Sequence, residues 1–359
     1  MQPVHRMQVW DSCSRAGITF DGPEDGSPLN HIVENDLIVE SLTEKMKKCP
    51  NLEIRYESKV LKYNIPHQEG NESVPQGNVV ISLGDGTEIE TDLLVGADGV
   101  KSLVRACLGL GDEYMSWEYP QMGLVASLTL EDSTLPNNTA WQRFLPGGPL
   151  ALLPLAPGHS SLVWSLPRDQ VGAFLKMEEA QFVEILNLSL TSQQAQNTAV
   201  NTVVEGVENI LATIPGMRAA AMETPPTVRG VSKRAAFPLG FGHSPSYRGA
   251  RTVLIGDAAH RVHPLAGLGA NLGLGDVREL VKQVESCVLN GEPLGQSSYL
   301  QDYETQRLRH NVPLMLGMDG LQKLYSTDTS PLVLARAVGL TATSMCKPLV
   351  RQLQAMAAA

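Results

Sequence analysis

The sequence predicts an α/β fold made of two lobes. Two short aliphatic runs, 93–95 and 251–255, each end at a glycine-containing acidic turn followed by a helical pattern, which is typical of buried strands with helices packed on them. Between them, 122–166 reads as strands separated by turns, which predicts a second, mixed sheet. We expect a first lobe formed by 1–115 and 237–359, and a mostly β second lobe formed by 116–236.

Composition narrows the class of protein. The chain has 359 residues, 43% of them hydrophobic and 18% charged, as in an ordinary globular protein. A net charge of −10 argues against nucleic acid, because neutralising phosphates requires clustered Lys and Arg. The five cysteines form no CxxC pair, which favours a reducing compartment. No apolar run approaches the roughly 18 residues that a membrane span needs, and the first residues resemble no signal or transit peptide.

The first part of the chain is expected to alternate strands with one helix. A strand at 7–10 gives way to a loop rich in Gly, Pro and Asp. Asn35 is a plausible N-cap for a helix that Pro50 ends. A strand is expected within 52–63. Two further runs joined by a glycine-containing turn predict a hairpin over 79–91.

The strand at 93–95 leads into the turn Gly96-Ala97-Asp98-Gly99 and a helix that carries Arg105. Its glycines permit close backbone approach, and Asp98 stands at the start of a helix. Such a turn is by itself most simply explained as an ordinary helix cap. A second acidic turn after a matching strand, Gly256-Asp257, favours the interpretation that both turns bind one ligand.

The second lobe is predicted to be a sheet covered by helices. Its strands are expected at 123–130, 139–144, 150–153 and 161–166, and its helices at 177–190 and 203–214. Trp141 and Trp164 lie within these strands. They are interpreted either as core residues or, as the resemblance described below implies, as a wall of the substrate pocket. The run 228–237 returns the chain to the first lobe.

The stretch from 251 to 271 organises the first lobe. Asp257 follows the strand at its carboxyl end, the edge where open α/β sheets bind ligands. A loop with Pro264, Gly267 and Gly269 comes next, and a helix starts close to Asn271. The predicted apolar stripe of that helix is Leu274, Val277, Val281, Val284 and Val288.

The glycines at 267, 269 and 273 have the spacing GxGxxxG and lie more than ten residues beyond the strand. A dinucleotide fingerprint turns directly from strand into helix, so a phosphate cradle is disfavoured here. The backbone N–H groups at the helix start suit an anionic or polarised group. We therefore favour the binding of a flat, electron-accepting ring by this loop.

The C-terminal part is expected to be helical. A helix over 299–324 should kink near Pro313. A second helix over 331–338 either packs on the first lobe or lies on a membrane surface. His260 and His263 have a metal-like spacing, but Pro264 interrupts a helix there, which disfavours a metal site. No pattern identifies a catalytic base.

Gly-Asp-Ala-Ala-His-x-x-x-Pro-x-x-Gly-x-Gly-x-Asn, at 256–271, resembles the second FAD motif of the flavin-dependent aromatic hydroxylases. Further matches extend over nearly the whole chain, and together they resemble the mitochondrial, animal-type monooxygenases of ubiquinone biosynthesis. One departure is Leu268, where that family usually has Gln. We expect it to weaken flavin binding only mildly, because the contacts there are mostly made by backbone. The matching segments are 6–11, 32–36, 96–99, 140–146, 151–155, 161–164, 324–326 and 330–334.

The resemblance implies an FAD-binding, Rossmann-like lobe of the p-hydroxybenzoate hydroxylase type with a mixed-sheet substrate lobe. Such a lobe needs a first βαβ unit with GxGxxG, which we do not find, so the chain is expected to be N-terminally incomplete. The residues that the resemblance implies for FAD binding are Gly96, Asp98, Gly99, Arg105, Gly256, Asp257, Pro264, Gly267, Gly269 and Asn271.

The implied activity is hydroxylation, at C5, of the ring of a polyprenylated 4-hydroxybenzoate-type precursor of ubiquinone (coenzyme Q). The family's mitochondrial members receive electrons through ferredoxin and ferredoxin reductase. They lie peripherally on the matrix face of the inner membrane with other ubiquinone-biosynthesis proteins. One alternative is a truncated, catalytically impaired isoform or paralogue that acts as a non-catalytic member of that complex. A flavin reductase or halogenase on the same fold is weaker, because the matches at 140–164 and 324–334 favour the ubiquinone branch.

Overall fold

The computed structural model describes residues 1–66, 77–131, 136–193, 196–215, 217 and 221–358. The strands in chain order are β1 Gln2–Val4, β2 Arg6–Asp11, β3 Gly17–Asp21, β4 Asn30–Ile32, β5 Val60–Asn64, β6 Val79–Leu83, β7 Glu88–Thr91, β8 Leu94–Gly96, β9 Met115–Leu130, β10 Thr139–Leu145, β11 Gly148–Pro154, β12 His159–Pro167, β13 Val228–Val231, β14 Ala235–His243, β15 Arg248–Gly249, β16 Thr252–Leu254 and β17 His260–Arg261. The helices are α1 Asn35–Met46, α2 Leu103–Cys107, α3 Arg168–Lys176, α4 Glu179–Thr191, α5 Thr198–Leu211, α6 Leu268–Leu289, α7 Ser297–Tyr325, α8 Ser330–Met345 and α9 Lys347–Ala358. The predicted α/β class is confirmed.

The chain divides into two compact units. Unit 1 comprises 1–50, 120–238 and 322–359, and unit 2 comprises 51–119 and 239–321. Two of the four boundaries, after residues 119 and 238, fall within a few residues of the predicted lobe boundaries. Both terminal segments, however, group with the strand-rich central part. The assignment of a role to each unit stays a prediction.

Unit 1 is built on a mixed sheet in the order β9-β12-β11-β10-β2-β3, with β13 also paired to β9. Neighbouring strands are antiparallel except β10 and β2, which run parallel. Alternate residues of β11 are buried, as expected for a sheet with one face in a core. Trp141 and Trp164 belong to that core together with Phe182 of α4, so the contacts of both tryptophans agree with the core interpretation.

Unit 2 contains two separate three-stranded sheets. β5, β6 and β7 form an antiparallel meander, and the predicted hairpin is its second half. The other sheet has the order β15-β16-β8, in which β16 and β8 are parallel. Within unit 2, β14 pairs with β17 over Gly242–Arg261 and His243–His260. The parallel pairing of β16 with β8 places the carboxyl ends of these two strands side by side.

Several predicted details of the elements were wrong. The N-cap of α1 is Glu34 and not Asn35, and its side chain makes no capping hydrogen bond. Within 52–63 only the last residues are a strand, because β5 starts at Val60. The predicted helix at 177–190, by contrast, is confirmed as α4, which begins at Glu179 after a break that separates it from α3. α7 spans Pro313 as one continuous helix, and the kink expected near that residue stays a prediction. No helix in the described ranges combines the length and apolar character of a membrane span.

The predicted helix over 268–289 is confirmed as α6, but its buried face was predicted wrongly. The expected stripe residues Leu274, Val277, Val281 and Val288 are 41 to 59% exposed. The buried face instead includes Leu272, Asp276 and Leu280. At Gly273 the helix approaches the turn after β16 so closely that an added Cβ would lie 3.3 Å from the Cα of Gly256. Close backbone approach and a buried polar network thus orient α6, in place of its most hydrophobic side.

Candidate functional site

The two acidic turns begin at the same edge of the parallel pair in unit 2. β8 and β16 are in register, with Gly96 opposite Leu254, and the N–H of Ile255 donates to the Gly96 carbonyl at 3.0 Å. Because both strands run in the same direction, Asp98 and Asp257 follow the carboxyl ends of adjacent strands. The structure therefore brings together the two turns that the sequence places far apart.

Asp98 caps the helix that follows its turn. Its Oδ1 accepts from the Ser102 hydroxyl at 2.6 Å, and its Oδ2 accepts from the backbone N–H of Leu103 at 2.7 Å and of Val104 at 3.2 Å. Gly99 has φ +79°, which explains the glycine of this turn. These contacts match the ordinary cap interpretation. A direct contact of Asp98 with a cofactor stays a prediction.

Arg105 ties the two turns to each other. Its side chain is buried on α2. Nη1 donates to the carbonyl of Ala258 and Nη2 to that of Val100, both at 2.7 Å. The guanidinium also lies 3.7 Å above the ring centre of Tyr114. Burial raises the pKa of Tyr114. Arg105 is therefore a positioning residue for the turns in this structure, and its predicted contact with FAD stays a prediction.

The turn after β16 is held by a buried polar network centred on Asp276, which is not among the predicted site residues. Gly256 has φ +57°, and its N–H donates to Oδ2 of the fully buried Asp276 at 2.9 Å. Nε2 of His260 lies 2.6 Å from the same oxygen. On the other oxygen, Asp276 accepts from Nε of Arg307 at 2.7 Å and from Nδ2 of Asn311 at 3.2 Å. Four donors from three segments thus converge on one carboxylate.

Electrostatics keep that carboxylate charged. Burial acts to raise the pKa of Asp276, but hydrogen bonding and charge from His260, with the bonds from Gly256 and Arg307, outweigh it, so that the pKa lies below its usual value. A usable signal was present in the sequence. Asp276 stands four residues from both Leu272 and Leu280, so it lies between them on one face of a helix. An acidic residue in the middle of an apolar row is the signal.

The loop before α6 presents the start of a 22-residue helix. Pro264 begins a short 3-10 turn, and Gly267 ends it in the left-handed conformation with φ +63°. The first N–H groups of α6 have no partner within the helix, and its dipole makes that end positive. At Gly269 an added Cβ would meet nothing closer than 3.9 Å, so the backbone there is open to a ligand. Asn271 is exposed, with Nδ2 3.4 Å from the Gly267 carbonyl.

Leu268, where the resembled family usually has Gln, is the first residue of α6. It is buried in an apolar cluster that includes Leu272 of the same helix and Met315 of α7. Its side chain therefore contributes packing at the helix start. Its backbone N–H remains one of the donors of the first turn.

Asp257 and His263 differ in their surroundings. The Asp257 carboxylate is exposed at the end of β16 and makes no hydrogen bond within the described part of the chain, so it is available to hydroxyl groups of a ligand. His263 is only 1% exposed, and neither ring nitrogen has a partner among the described residues. Its ring lies edge-on to Tyr119 at 5.1 Å. Burial lowers the pKa of His263 to about 4, which keeps the ring neutral.

These features suit a flavin nucleotide. An exposed carboxylate beyond a parallel strand can accept hydrogen bonds from sugar or ribityl hydroxyls. Free backbone N–H groups at a helix start can bind the polarised edge of a flat ring. Open space at Gly269 allows that ring to approach the backbone.

Comparison with known proteins supports this interpretation. A family model described as "FAD binding domain" matches residues 3–315. The zebrafish (Danio rerio) protein named ubiquinone biosynthesis monooxygenase COQ6, mitochondrial, is 42% identical over 360 residues, which cover 99% of this chain and 73% of the relative. The human protein of that name is 42% identical over 356 residues, 98% of this chain and 75% of the relative. Klebsiella pneumoniae HpxO, solved with FAD and uric acid, shares the fold with a TM-score of 0.65 at 16% identity, covering 99% of this chain and 81% of HpxO.

Proposed function

The chain belongs to the FAD-binding-domain family and, within it, to the mitochondrial ubiquinone biosynthesis monooxygenases, and from this we propose that it hydroxylates the ring of a phenolic ubiquinone precursor. The resemblance identified from its motifs is confirmed. So are FAD as the cofactor and flavin-dependent monooxygenation as the enzyme class. The named relatives are mitochondrial, which supports the same location for this chain.

The observation that carries the proposal is the convergence of both acidic turns and the start of α6 within unit 2. When bound, FAD supplies the oxygen activation that ring hydroxylation requires. The chain's own part is to bind and orient the cofactor. Asp257 binds a hydroxyl group of the nucleotide, and the N–H groups near Gly269 stabilise negative charge on the ring. Arg105 and Asp276 hold the turns in place.

The finer assignments follow from the resemblance. The substrate is a polyprenylated 4-hydroxybenzoate-type ring, and the position hydroxylated is C5. Electrons arrive through a ferredoxin and its reductase. The protein lies peripherally on the matrix face of the inner membrane, together with other ubiquinone-biosynthesis proteins. No residue of the described site is assigned as a catalytic base.

The cofactor site is tested by replacing Asp257 with alanine. The purified chain should show the visible spectrum of bound flavin, and Asp257→Ala should weaken FAD binding about tenfold or more, the loss of roughly one charge-assisted hydrogen bond. Asp302→Ala, which removes an exposed carboxylate of α7, is the matched control and should bind FAD normally. Equal FAD affinity in the two variants would show that the site is assigned wrongly.

The substrate is tested by supplying the chain to cells that lack their own ring hydroxylase. Recovery of ubiquinone, with a C5-hydroxylated intermediate identified by mass spectrometry, supports the proposed reaction. Hydroxylation at another carbon would contradict the C5 assignment alone. A chain that stabilises the biosynthetic complex but binds no FAD and forms no hydroxylated product would favour the non-catalytic alternative.

A further inference from the structure

One face of the mixed sheet in unit 1 is built into a core. Trp141, Leu152 and Leu162 stand opposite one another on β10, β11 and β12, and they cluster with residues of α3 and α4. Successive side chains of a strand point to opposite faces, so the residues adjacent to these three point to the second face of the sheet. The second face is therefore a surface distinct from the helical core.

A row of residues crosses the second face over four adjacent strands. Gln142 of β10 stands opposite Ala151 of β11. Val163 of β12 stands between Ala151 and Val125 of β9. The three apolar members are half-buried. Neighbouring strands lie about 4.8 Å apart, so this row, which we call the Gln142 row, is about 14 Å long. The positions of this face on β10, β11 and β12 include no Asp, Glu, Lys or Arg, so the row is an uncharged apolar strip with an amide at one end.

Gln142 is a buried polar residue whose side chain lacks a partner. It is 6% exposed, and its amide makes no hydrogen bond with any residue in the part of the chain that the structure describes. Other buried glutamines of unit 1 are satisfied. Gln8 donates to the Glu223 carbonyl at 2.7 Å and accepts from its N–H at 2.8 Å, and Gln121 accepts from Gln322 at 3.0 Å. Buried polar groups are nearly always hydrogen-bonded, because an unpaired one costs free energy, so the Gln142 amide suits a partner from outside the chain.

We propose that the Gln142 row binds the phenolic substrate and that Gln142 is its polar anchor. An amide can accept from a phenol O–H through Oε1 or donate to the phenol oxygen through Nε2. Ala151, Val163 and Val125 contact the ring and the first part of its apolar tail. The row offers no charge to an ionic group, so a neutral hydroxyl is the group that its one amide suits. The inference rests on the proposed function, which supplies a phenol with an apolar tail, and it assigns the binding of that phenol to particular residues.

Calorimetric titration of the purified full chain with two probes tests the anchor. 2-Prenylphenol carries the hydroxyl, and prenylbenzene has the same apolar body without it. The wild-type chain should bind 2-prenylphenol about tenfold more tightly than prenylbenzene, which is the effect of about one hydrogen bond. Gln142→Leu should bind 2-prenylphenol about tenfold more weakly than the wild-type chain does, and prenylbenzene no more weakly, so that the preference disappears.

Thermal melting separates an anchor from a structural role. Gln142→Leu removes an amide that has no partner among the described residues, so its Tm should equal or exceed that of the wild-type chain. Gln8→Leu is the matched control, because Gln8 stands opposite Trp141 on the core face of the neighbouring strand β2 and its amide is bonded to Glu223. The Tm of Gln8→Leu should fall, while its preference for 2-prenylphenol should stay at the wild-type value.

A substitution at the far end of the row tests its apolar part. Val125→Asp places a charge against the tail, so it should weaken the binding of 2-geranylphenol about tenfold and leave that of unsubstituted phenol unchanged. Thr129→Asp is the control, because Thr129 lies on the same strand and face beyond the row, opposite His159. It should bind both probes as the wild-type chain does. If Val125→Asp unfolds the chain, Val125→Ser replaces it with the same expected direction.

Three outcomes overturn the inference. The first is a wild-type chain without a preference for 2-prenylphenol, and the second is a Gln142→Leu variant that keeps the preference. The third is a Gln142→Leu variant that melts as low as Gln8→Leu, which would give the amide a structural role. FAD content and ring hydroxylation are measured on the same samples. Normal values with a preference that does not depend on Gln142 reject only this inference. A wild-type chain that prefers the phenol through Gln142, yet neither binds FAD nor hydroxylates the ring, rejects the proposed function.

Discussion

Replacing Asp276 with asparagine should strongly destabilise unit 2, because it removes the charge at the centre of a buried network while keeping nearly the same shape. The change leaves the guanidinium of Arg307 buried without its countercharge, and it directs an amide N–H₂ towards groups that are themselves donors. Removing one partner of a buried ion pair costs about 3–5 kcal/mol. We expect about 3 kcal/mol, because the remaining amide oxygen can still accept from Arg307 or from the N–H of Gly256.

Urea unfolding followed by circular dichroism measures this loss, and the Tm should fall by about 6–12 °C. The control Asp302→Asn changes an exposed carboxylate and should alter the free energy of unfolding by less than about 0.5 kcal/mol. FAD affinity should also fall in Asp276→Asn, since Gly256 loses the hydrogen bond that holds its turn.

A double-mutant cycle with Arg307→Met separates the charge pair from general disruption. If the network acts as a unit, the double variant should be at least about 1 kcal/mol more stable than the sum of the single losses predicts. Additive losses, or an Asp276→Asn variant as stable as Asp302→Asn, would refute the argument that this carboxylate holds the turn.

Two further predictions concern buried side chains of the same unit. The pKa of His263 is lowered from 6.5 to about 4 by burial, so the unfolded chain binds this proton at higher pH than the folded chain does. The stability that this neutral ring contributes is therefore full above pH 6.5 and falls between pH 6.5 and 4, by about 1.4 kcal/mol per pH unit at most. Urea unfolding midpoints measured across this window should fall less steeply for His263→Leu than for the wild-type chain. Parallel slopes for the two chains would contradict the assignment. Arg105→Met loses two charged hydrogen bonds to backbone, so the free energy of unfolding should fall by about 3 kcal/mol and fluorescence titration should show weaker FAD binding. Arg105→Lys should recover only part of the stability and of the FAD affinity, because lysine cannot reach Val100 and Ala258 with a planar fork. Full recovery in Arg105→Lys would show that charge alone suffices.

The sequence by itself determined the local pieces of the site. Short aliphatic runs ended by glycine and aspartate identified β8 and β16, because a buried strand and the turn that ends it are both recognised from residues adjacent in sequence. The same reasoning located the glycine-rich loop and the helix that follows it. It also identified the tryptophans as candidate core residues, since large aromatic side chains in alternating strands are usually buried.

Tertiary structure decided what those pieces contact. The most hydrophobic side of α6 predicted its buried face wrongly, because the close approach of Gly273 to Gly256 and the donors around Asp276 orient the helix. The predicted contact of Arg105 with a ligand stays a prediction, and the structure adds that its N–H groups reach two carbonyls that come together only after β8 and β16 pair. A buried polar side chain depends on partners far away in sequence, so periodicity and spacing cannot reveal which groups satisfy it.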